Sequence, residues 1–346
     1  MKTKIKCVIW DLDNTLWKGV LSEGDSLELN PDIKEIIMEL DKRGILQSIA
    51  SKNNYDEAKR SLEDFDIFDY FVYPQINWNI KSSQIQEIAK RLNFATDSLL
   101  FIDDQEFERN EVVYNISRIE TMDGSRISRS ILGLDELNPK FITVDSANRR
   151  HMYQTDAERN KIEGRYKGPK NEFLKTLDLK LTINLANETD LKRAEELTQR
   201  THQLNTTGTI YSFEDLRLMI QSKDYYVLVS ELKDKFGSYG KIGLTVIKRE
   251  QEKWMLELFL MSCRTMSRGI GGIELRWLCN KALHENKKLI ARFIPSDRNR
   301  IMYLTYKMAG FSDVSNESDK GMLLGLKSTT PFALPDYVQI SSGWNV

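Results

Sequence analysis

The sequence predicts an α/β protein in two parts: a domain built on a parallel sheet, then an α+β domain with a mixed sheet. Three observations carry this expectation. A continuous apolar run at 7–10, a second buried strand at 45–50 and an apolar strand at 99–102 alternate with amphipathic helical segments, the pattern of βαβ units around a buried parallel sheet. Each run stops abruptly at polar residues: Asp11 and Asp13, Ser51, and the pair Asp103 and Asp104. Beyond residue 179 the pattern changes to half-exposed strands and a hairpin, read at 179–185, 225–230 and 240–247. At 346 residues the chain exceeds one ordinary domain, and two are expected.

The elements of the first part follow in order. Cys7, Val8, Ile9 and Trp10 are uniformly apolar, as in a strand buried on both faces. Residues 14–24 contain Gly19 and Gly24 and read as a loop or small hairpin. Pro31 opens a helix whose apolar face is Ile33, Ile36, Ile37 and Leu40, and Gly44 ends it. The strand at 45–50 runs into Ser51, Lys52, Asn53 and Asn54. A helix over 55–65, a short strand over 68–73, a loop containing Lys81 and a helix over 82–92 come next. The strand at 99–102 delivers Asp103 and Asp104, and Glu106 and Glu108 suit the first turn of the following helix.

Composition excludes several classes. With 50 basic and 51 acidic residues the formal net charge is −1, and nothing calls for a nucleic acid or an anionic membrane as partner. No apolar run approaches the roughly 20 residues of a membrane span. The first apolar stretch meets Asp11 within a few residues, which argues against a signal peptide. The three cysteines, Cys7, Cys263 and Cys279, are far apart and suggest neither a disulfide framework nor a zinc site. A reducing, cytoplasmic setting is expected.

The polar residues after the apolar runs converge. Ligands of open α/β sheets bind beyond the carboxyl ends of the strands. Asp11 and Asp13 there would repel each other and favour a cation between them, and hard oxygen donors suggest Mg²⁺. Ser51 adds a hydroxyl and Lys81 a positive charge. This combination suits phosphoryl transfer, where charge on the transferred group must be positioned and neutralised.

Asp11-Leu12-Asp13-Asn14-Thr15, followed in order by Ser51, Lys81 and Asp103-Asp104, resembles the signature of the haloacid-dehalogenase superfamily of aspartate-nucleophile phosphatases. The finer wording is similar to its FkbH-like branch: Ile9 to Trp17, Ser51-Lys52-Asn53, and Phe101-Ile102-Asp103-Asp104 with Glu108-Arg109. The resemblance implies a Rossmann-like first domain, and the gaps after the first strand and after the second motif are too short for the large cap such proteins often insert. It implies Asp11 as nucleophile and Asp13 as general acid and base. Mg²⁺ would be held by Asp11, the Asp13 backbone carbonyl and Asp103, with Asp104 as a further ligand or as a group that orients one. Thr15, Ser51, Lys52, Asn53 and Lys81 would meet the phosphoryl group. Many FkbH-like glyceryl transferases carry a cysteine just before Ser-Lys-Asn. Here that position is Ala50, and a methyl group forms no thioester.

The expected boundaries are 1–135 for this domain, 136–178 for a charged helical connector, 179–330 for the second domain and 331–346 for a tail of little periodicity. The second domain's strands, the glycine turn Arg268-Gly269-Ile270-Gly271-Gly272 before a long helix, and Asn299, Tyr306 and Gly310-Phe311 resemble the Gcn5-related acetyltransferase fold. A glycine turn at a helix N-terminus is an anion-binding device. Thr201-His202-Gln203-Leu204-Asn205 is similar to a segment of FkbH-like proteins. Together the resemblances imply a Mg²⁺-dependent enzyme that dephosphorylates a small phosphorylated acid or a carrier-bound acyl group. One alternative is a transferase loading glyceryl from 1,3-bisphosphoglycerate onto an acyl carrier protein in polyketide-type biosynthesis. The other is an acyl-CoA-dependent N-acyltransferase or a carrier-protein binding module.

Overall fold

In the computed structural model, which describes residues 4–317 and 321–344, the chain divides into two units, Met1–Asn160 and Lys161–Val346. The division falls inside the segment expected as a connector.

The first unit contains β1 (Cys7–Trp10), β2 (Trp17–Lys18), β3 (Glu28–Leu29), α1 (Ile33–Lys42), β4 (Leu46–Ser51), α2 (Tyr55–Asp64), β5 (Gln75–Ile76), α3 (Lys81–Leu92), β6 (Leu99–Asp103), α4 (Glu106–Asn115) and β7 (Glu120–Asp123). Its main sheet has the order β5-β4-β1-β6-β7, with every pair parallel. Successive side chains of β1 feed opposite faces, as strand geometry dictates. Val8 and Trp10 pack with Ile36, Ile37 and Leu62 of α1 and α2, while Cys7 and Ile9 pack with Ile85, Ile88 and Val112 of α3 and α4. Both faces are covered, which is why β1 reads as a continuous apolar run.

Only the β2–β3 hairpin and a 3₁₀ turn, Leu21–Glu23, lie between β1 and α1. Among the described residues no large cap interrupts this unit. The short strand expected at 68–73 is instead a 3₁₀ turn, Phe68–Tyr70, with Phe71 making a single bridge to Gln47. Asp66 and Tyr73, both with positive φ, bend the chain on either side of it, and the ladder strand comes later at β5. Lys81 opens α3 rather than sitting in a loop.

Then come α5 (Val144–Ala147), α6 (Arg149–Arg165) and α7 (Lys170–Lys175). The start of α6 is bound to the first unit. The Arg149 guanidinium donates to the Gly44 carbonyl at 2.6 Å, Arg150 pairs with Asp41 at 3.0 Å, and Tyr153 packs edge-on against Phe94.

The second unit continues with β8 (Leu179–Leu185), α8 (Leu191–Arg200), α9 (Phe213–Gln221), β9 (Tyr225–Asp234), β10 (Gly237–Arg249), β11 (Lys253–Met261), α10 (Ile270–His284), β12 (Lys288–Phe293), α11 (Arg300–Met308), β13 (Phe311–Glu317), β14 (Gly321–Leu326) and β15 (Val338–Ser342). Its eight strands form one mixed sheet in the order β13-β14-β12-β11-β10-β9-β8-β15, with β11/β12 and β8/β15 parallel and the remaining pairs antiparallel. Helices α8 and α9 cover one face through Leu191, Leu197 and Leu216, and α10 and α11 cover the other through Leu275, Leu278 and Tyr306. This is the mixed-sheet α+β arrangement expected of the second domain.

The tail gains structure that its sequence does not advertise. β15 adds to the sheet edge beside β8, and Trp344 packs among Tyr226, Trp254 and Trp277 at ring separations of 4.9–5.9 Å. Among the described residues no helix is long and apolar enough to cross a membrane.

Candidate active site

Parallel register brings the ends of β1, β4 and β6 to one edge of the first sheet. Trp10 lies level with Ile49 and Ile102, so Asp11 comes level with Ala50 and Asp103, and Ser51 follows one residue further along β4. The Asp11 amide continues the ladder, donating to the Ile102 carbonyl at 2.9 Å.

Lys81 holds the centre together. Its ammonium is 3% exposed, pairs with Asp11 Oδ1, and donates to Asp103 Oδ2 at 3.0 Å and to the Ala50 carbonyl at 2.9 Å. Burial alone would lower its pKa. The charges of Asp11 and Asp103, and the hydrogen bonds to them, outweigh that and hold Lys81 above its ordinary value. For Asp11 the balance goes the other way. Burial raises its pKa, Lys81 opposes the rise, Asp103 adds to it, and the carboxyl is pushed up to about 6. Burial also raises Asp103 and Asp104.

Carboxylate oxygens of Asp11, Asp103 and Asp104 lie within 4.8 Å of one another. Asp104 Oδ1 is buried without a hydrogen-bond partner among the described residues. Three converging carboxylates, one of them with an orphaned oxygen, ask for more positive charge than Lys81 supplies. This donor set fits a hard divalent cation such as Mg²⁺.

Asp13 lies two residues beyond Asp11, past the end of β1. Its Oδ1 accepts from the Trp17 indole N–H at 2.9 Å and the Leu21 amide at 3.1 Å, and its Oδ2 accepts from Asn53 Nδ2 at 3.0 Å. The same Asn53 amide donates to Ser51 Oγ at 3.2 Å. Ser51 is thereby an acceptor toward Asn53 and keeps its own O–H for donation. Asn53 thus fixes the spacing between the expected acid and the expected phosphate donor.

Two predicted phosphate contacts are otherwise engaged. The buried Thr15 hydroxyl accepts the Asp104 amide at 3.1 Å, tying the loop after β1 to the loop after β6. Lys52 reaches across to Glu108, 2.6 Å away. Ala50 turns its methyl into the core beside Cys7 and Ile9 and gives its carbonyl to Lys81.

Other positioning residues carried no role in the sequence reading. Arg109 donates to the Asp103 carbonyl at 2.7 Å, and Gln84 donates to the Ser51 carbonyl at 3.2 Å. A Cβ on Gly124 would stand 2.6 Å from Thr15 Oγ1 and 2.9 Å from the Asp104 nitrogen. Gly124 follows a short half-buried strand, β7, and no spacing pattern marks it.

Both units are similar to known proteins. Residues 15–110 match the family model described as haloacid dehalogenase-like hydrolase, and Asp11 and Asp13 stand immediately before the matched stretch. Over that stretch the first unit is similar to haloacid dehalogenase-like hydrolases. Magnesium-dependent phosphatase 1 of Homo sapiens is 27% identical over 127 residues, an alignment covering 31% of this chain and 70% of that protein. Among solved structures, the N-terminal part of a Bacteroides fragilis protein, which contains a phosphatase domain and was solved with Mg, is 30% identical. That match covers 40% of this chain and 41% of the other, with a TM-score of 0.35. The PaiA N-acetyltransferase of Thermoplasma acidophilum, solved with coenzyme A, is 19% identical over 43% of this chain and 99% of its own, with a TM-score of 0.35.

Proposed function

We propose that the first unit is a Mg²⁺-dependent phosphatase or phosphotransferase that uses Asp11 as its nucleophile. The observation that carries this reading is the convergence of Asp11, Asp103 and Asp104 at one sheet edge, with Lys81 buried between two of them. When bound by these three carboxylates, Mg²⁺ supplies positive charge next to the phosphoryl oxygens.

The chain's own residues account for the remaining chemistry. An Asp11 oxygen attacks phosphorus as the bond to the leaving oxygen breaks, giving an aspartyl-phosphate. Asp13, held by Trp17, Leu21 and Asn53, gives its proton to the leaving oxygen. In the second half it takes a proton from the attacking water or alcohol as the aspartyl ester is cleaved. Ser51 donates its free O–H to a phosphoryl oxygen.

The finer reading is an FkbH-like enzyme acting on a small phosphorylated acid or on an acyl group borne by an acyl carrier protein. The uncapped entrance favours a bulky substrate. Exposed Trp78 and Ile80 precede Lys81, and exposed Phe107 follows Asp104, so apolar side chains border both loops. The inward methyl of Ala50 favours phosphate removal, or direct passage of acyl to a carrier thiol, over a covalent acyl relay at that position.

Phosphate release from small phosphoesters, measured with and without Mg²⁺, tests the first reading. Asp11→Asn should lower it at least about 1,000-fold. Release that survives this change removes Asp11 as nucleophile. Intact-mass analysis after mixing the enzyme with a phosphorylated glycerate donor and holo carrier protein tests the finer reading. The expected result is no glyceryl adduct on the enzyme.

A further inference from the structure

The parallel pair at the centre of the second sheet comes apart. β11 and β12 are in register from Lys253/Lys288 to Leu256/Ala291, and then their pairing stops although β11 runs on to Met261. Diverging parallel strands leave a slot lined by unpaired N–H and C=O groups. Such a slot is where an extended, amide-bearing ligand such as a pantetheine arm can add as a strand.

In this chain the slot is filled from within. Residues 204–207, from the connection between α8 and α9, lie along β11, with Asn205 bridged to Leu260 in antiparallel sense. The Met261 amide donates to the Leu204 carbonyl at 2.9 Å, and the Thr206 amide donates to the Phe259 carbonyl at 3.2 Å. The Thr206 hydroxyl accepts the Phe259 amide at 2.9 Å. On the opposite side, the Ile294 amide just past β12 donates to the Thr206 carbonyl at 2.9 Å. The inserted segment therefore satisfies both diverging strands.

It is also clamped. Asn299, buried ahead of α11, donates from one amide to the Asn205 carbonyl at 3.0 Å and the Ile294 carbonyl at 2.9 Å. Asn205 Oδ1 accepts the amides of Thr207 and Gly208 at 3.1 and 2.8 Å, locking the turn that follows. Asn205 and Thr206 are 1% and 0% exposed. The glycine turn before α10 is committed as well. Its Arg268 is buried, ion-paired with Glu163 and set 5.8 Å from the Phe173 ring, so its charge already has a carboxylate partner.

We propose that residues 204–207 are a built-in strand that permanently closes the slot between β11 and β12, so that this unit takes no coenzyme A or other pantetheine thioester there. The acetyltransferase-like fold then serves this chain without acetyltransferase cofactor chemistry.

Two measurements on the full chain test this. Calorimetric titration with coenzyme A and with acetyl-CoA, up to about 1 mM, is expected to give no saturable heat. Hydrogen exchange is expected to show the amides of Thr206, Phe259, Met261 and Ile294 protected at least about 100-fold over exposed loop amides. Saturable one-to-one binding of either compound overturns the proposal, whether or not residues 204–207 lose protection with it. Rapid exchange at those amides in the free protein overturns it as well, because the segment would then be a mobile strap. Asn299→Ala should speed exchange across 204–207 by about 10-fold or more while β9 and β10 keep their protection. Unchanged exchange there removes Asn299 as the clamp.

Discussion

Replacing Lys81 with methionine tests the electrostatic account of the site directly, because the stem is kept and the charge is lost. Nζ makes two contacts with carboxylates and one with a backbone carbonyl, all in a site 3% exposed. Removing one partner of a buried ion pair costs about 3–5 kcal/mol, since the charge left behind has no compensation. A second route gives the same size. A carboxyl group that must hold a proton at pH 7, when it titrates near 4 in the unfolded chain, costs ~1.36 kcal/mol per pH unit, or about 4 kcal/mol. For a unit spanning Met1–Asn160 that lowers the melting temperature by roughly 6–20 °C.

The pH dependence has a definite sign. Burial raises the folded-state pKa of Asp11, to about 6, and of Asp103, and loss of Lys81 raises both further. A raised carboxyl pKa costs nothing below the unfolded value and costs progressively more as pH rises toward the folded one. The deficit of Lys81→Met is therefore expected to be largest near neutrality and to shrink toward pH 4. Mg²⁺ should narrow it, because the cation neutralises the same carboxylates. Thermal unfolding of the full chain in chelator and in Mg²⁺, at pH 4.5 and 7, reads all three effects. A variant that melts within about 2 °C of wild type at pH 7 in chelator would refute the reasoning.

Two further outcomes follow from the same geometry. Mg²⁺ competes with protons for Asp11, so its affinity by calorimetry should fall about tenfold per pH unit below about 6 and level off above it; a flat profile from pH 5 to 8 contradicts the placement of Asp11 in the cation site. Gly124→Ala puts a methyl against Thr15 Oγ1 and the backbone of Asp103 and Asp104, and should weaken Mg²⁺ binding about 10–100-fold with little change in circular dichroism; wild-type affinity would show that this contact does not set the ligand loop.

How much of this was legible beforehand depends on the kind of signal. The strands at β1, β4 and β6 are buried on both faces, and that burial writes itself into the sequence as apolar runs ending in Asp11 and Asp103 and, less purely because of Gln47 and Ser48, as the stretch that ends in Ser51. Parallel register then places those ends together, so the core of the site could be read from order alone. The strand at β7 is only half buried and four residues long, too short and too mixed to show a period. The edge strand β15, Val338 to Ser342, carries two serines and a glutamine, and its partner lies more than 150 residues away. Residue pairs such as Asn53 with Asp13, Thr15 with the Asp104 amide and Lys52 with Glu108 are set by tertiary geometry, and no spacing rule reports them. The filling of the slot by Thr206 belongs to the same class.

The geometry around Lys81 also decides between two roles for it. An ammonium has three N–H donors, and all three are spent, on Asp11, Asp103 and the Ala50 carbonyl. Donation to a phosphoryl oxygen requires that one of these be released. The charge-assisted bonds to the carboxylates are the stronger ones, so the carbonyl would be given up, which leaves a buried acceptor unpaired at a cost of about 1–3 kcal/mol. Under the proposed function, phosphate neutralisation would be met at lower cost by a cation held by Asp11, Asp103 and Asp104 and by the free O–H of Ser51. On that reading Lys81 fixes Asp11, the proposed nucleophile, and Asp103, a proposed metal ligand, at their separation and offsets their mutual repulsion. That role requires burial, and it explains why Lys81 sits at the start of α3, against the sheet and over the ring of Phe101, and not on a loop open to the substrate.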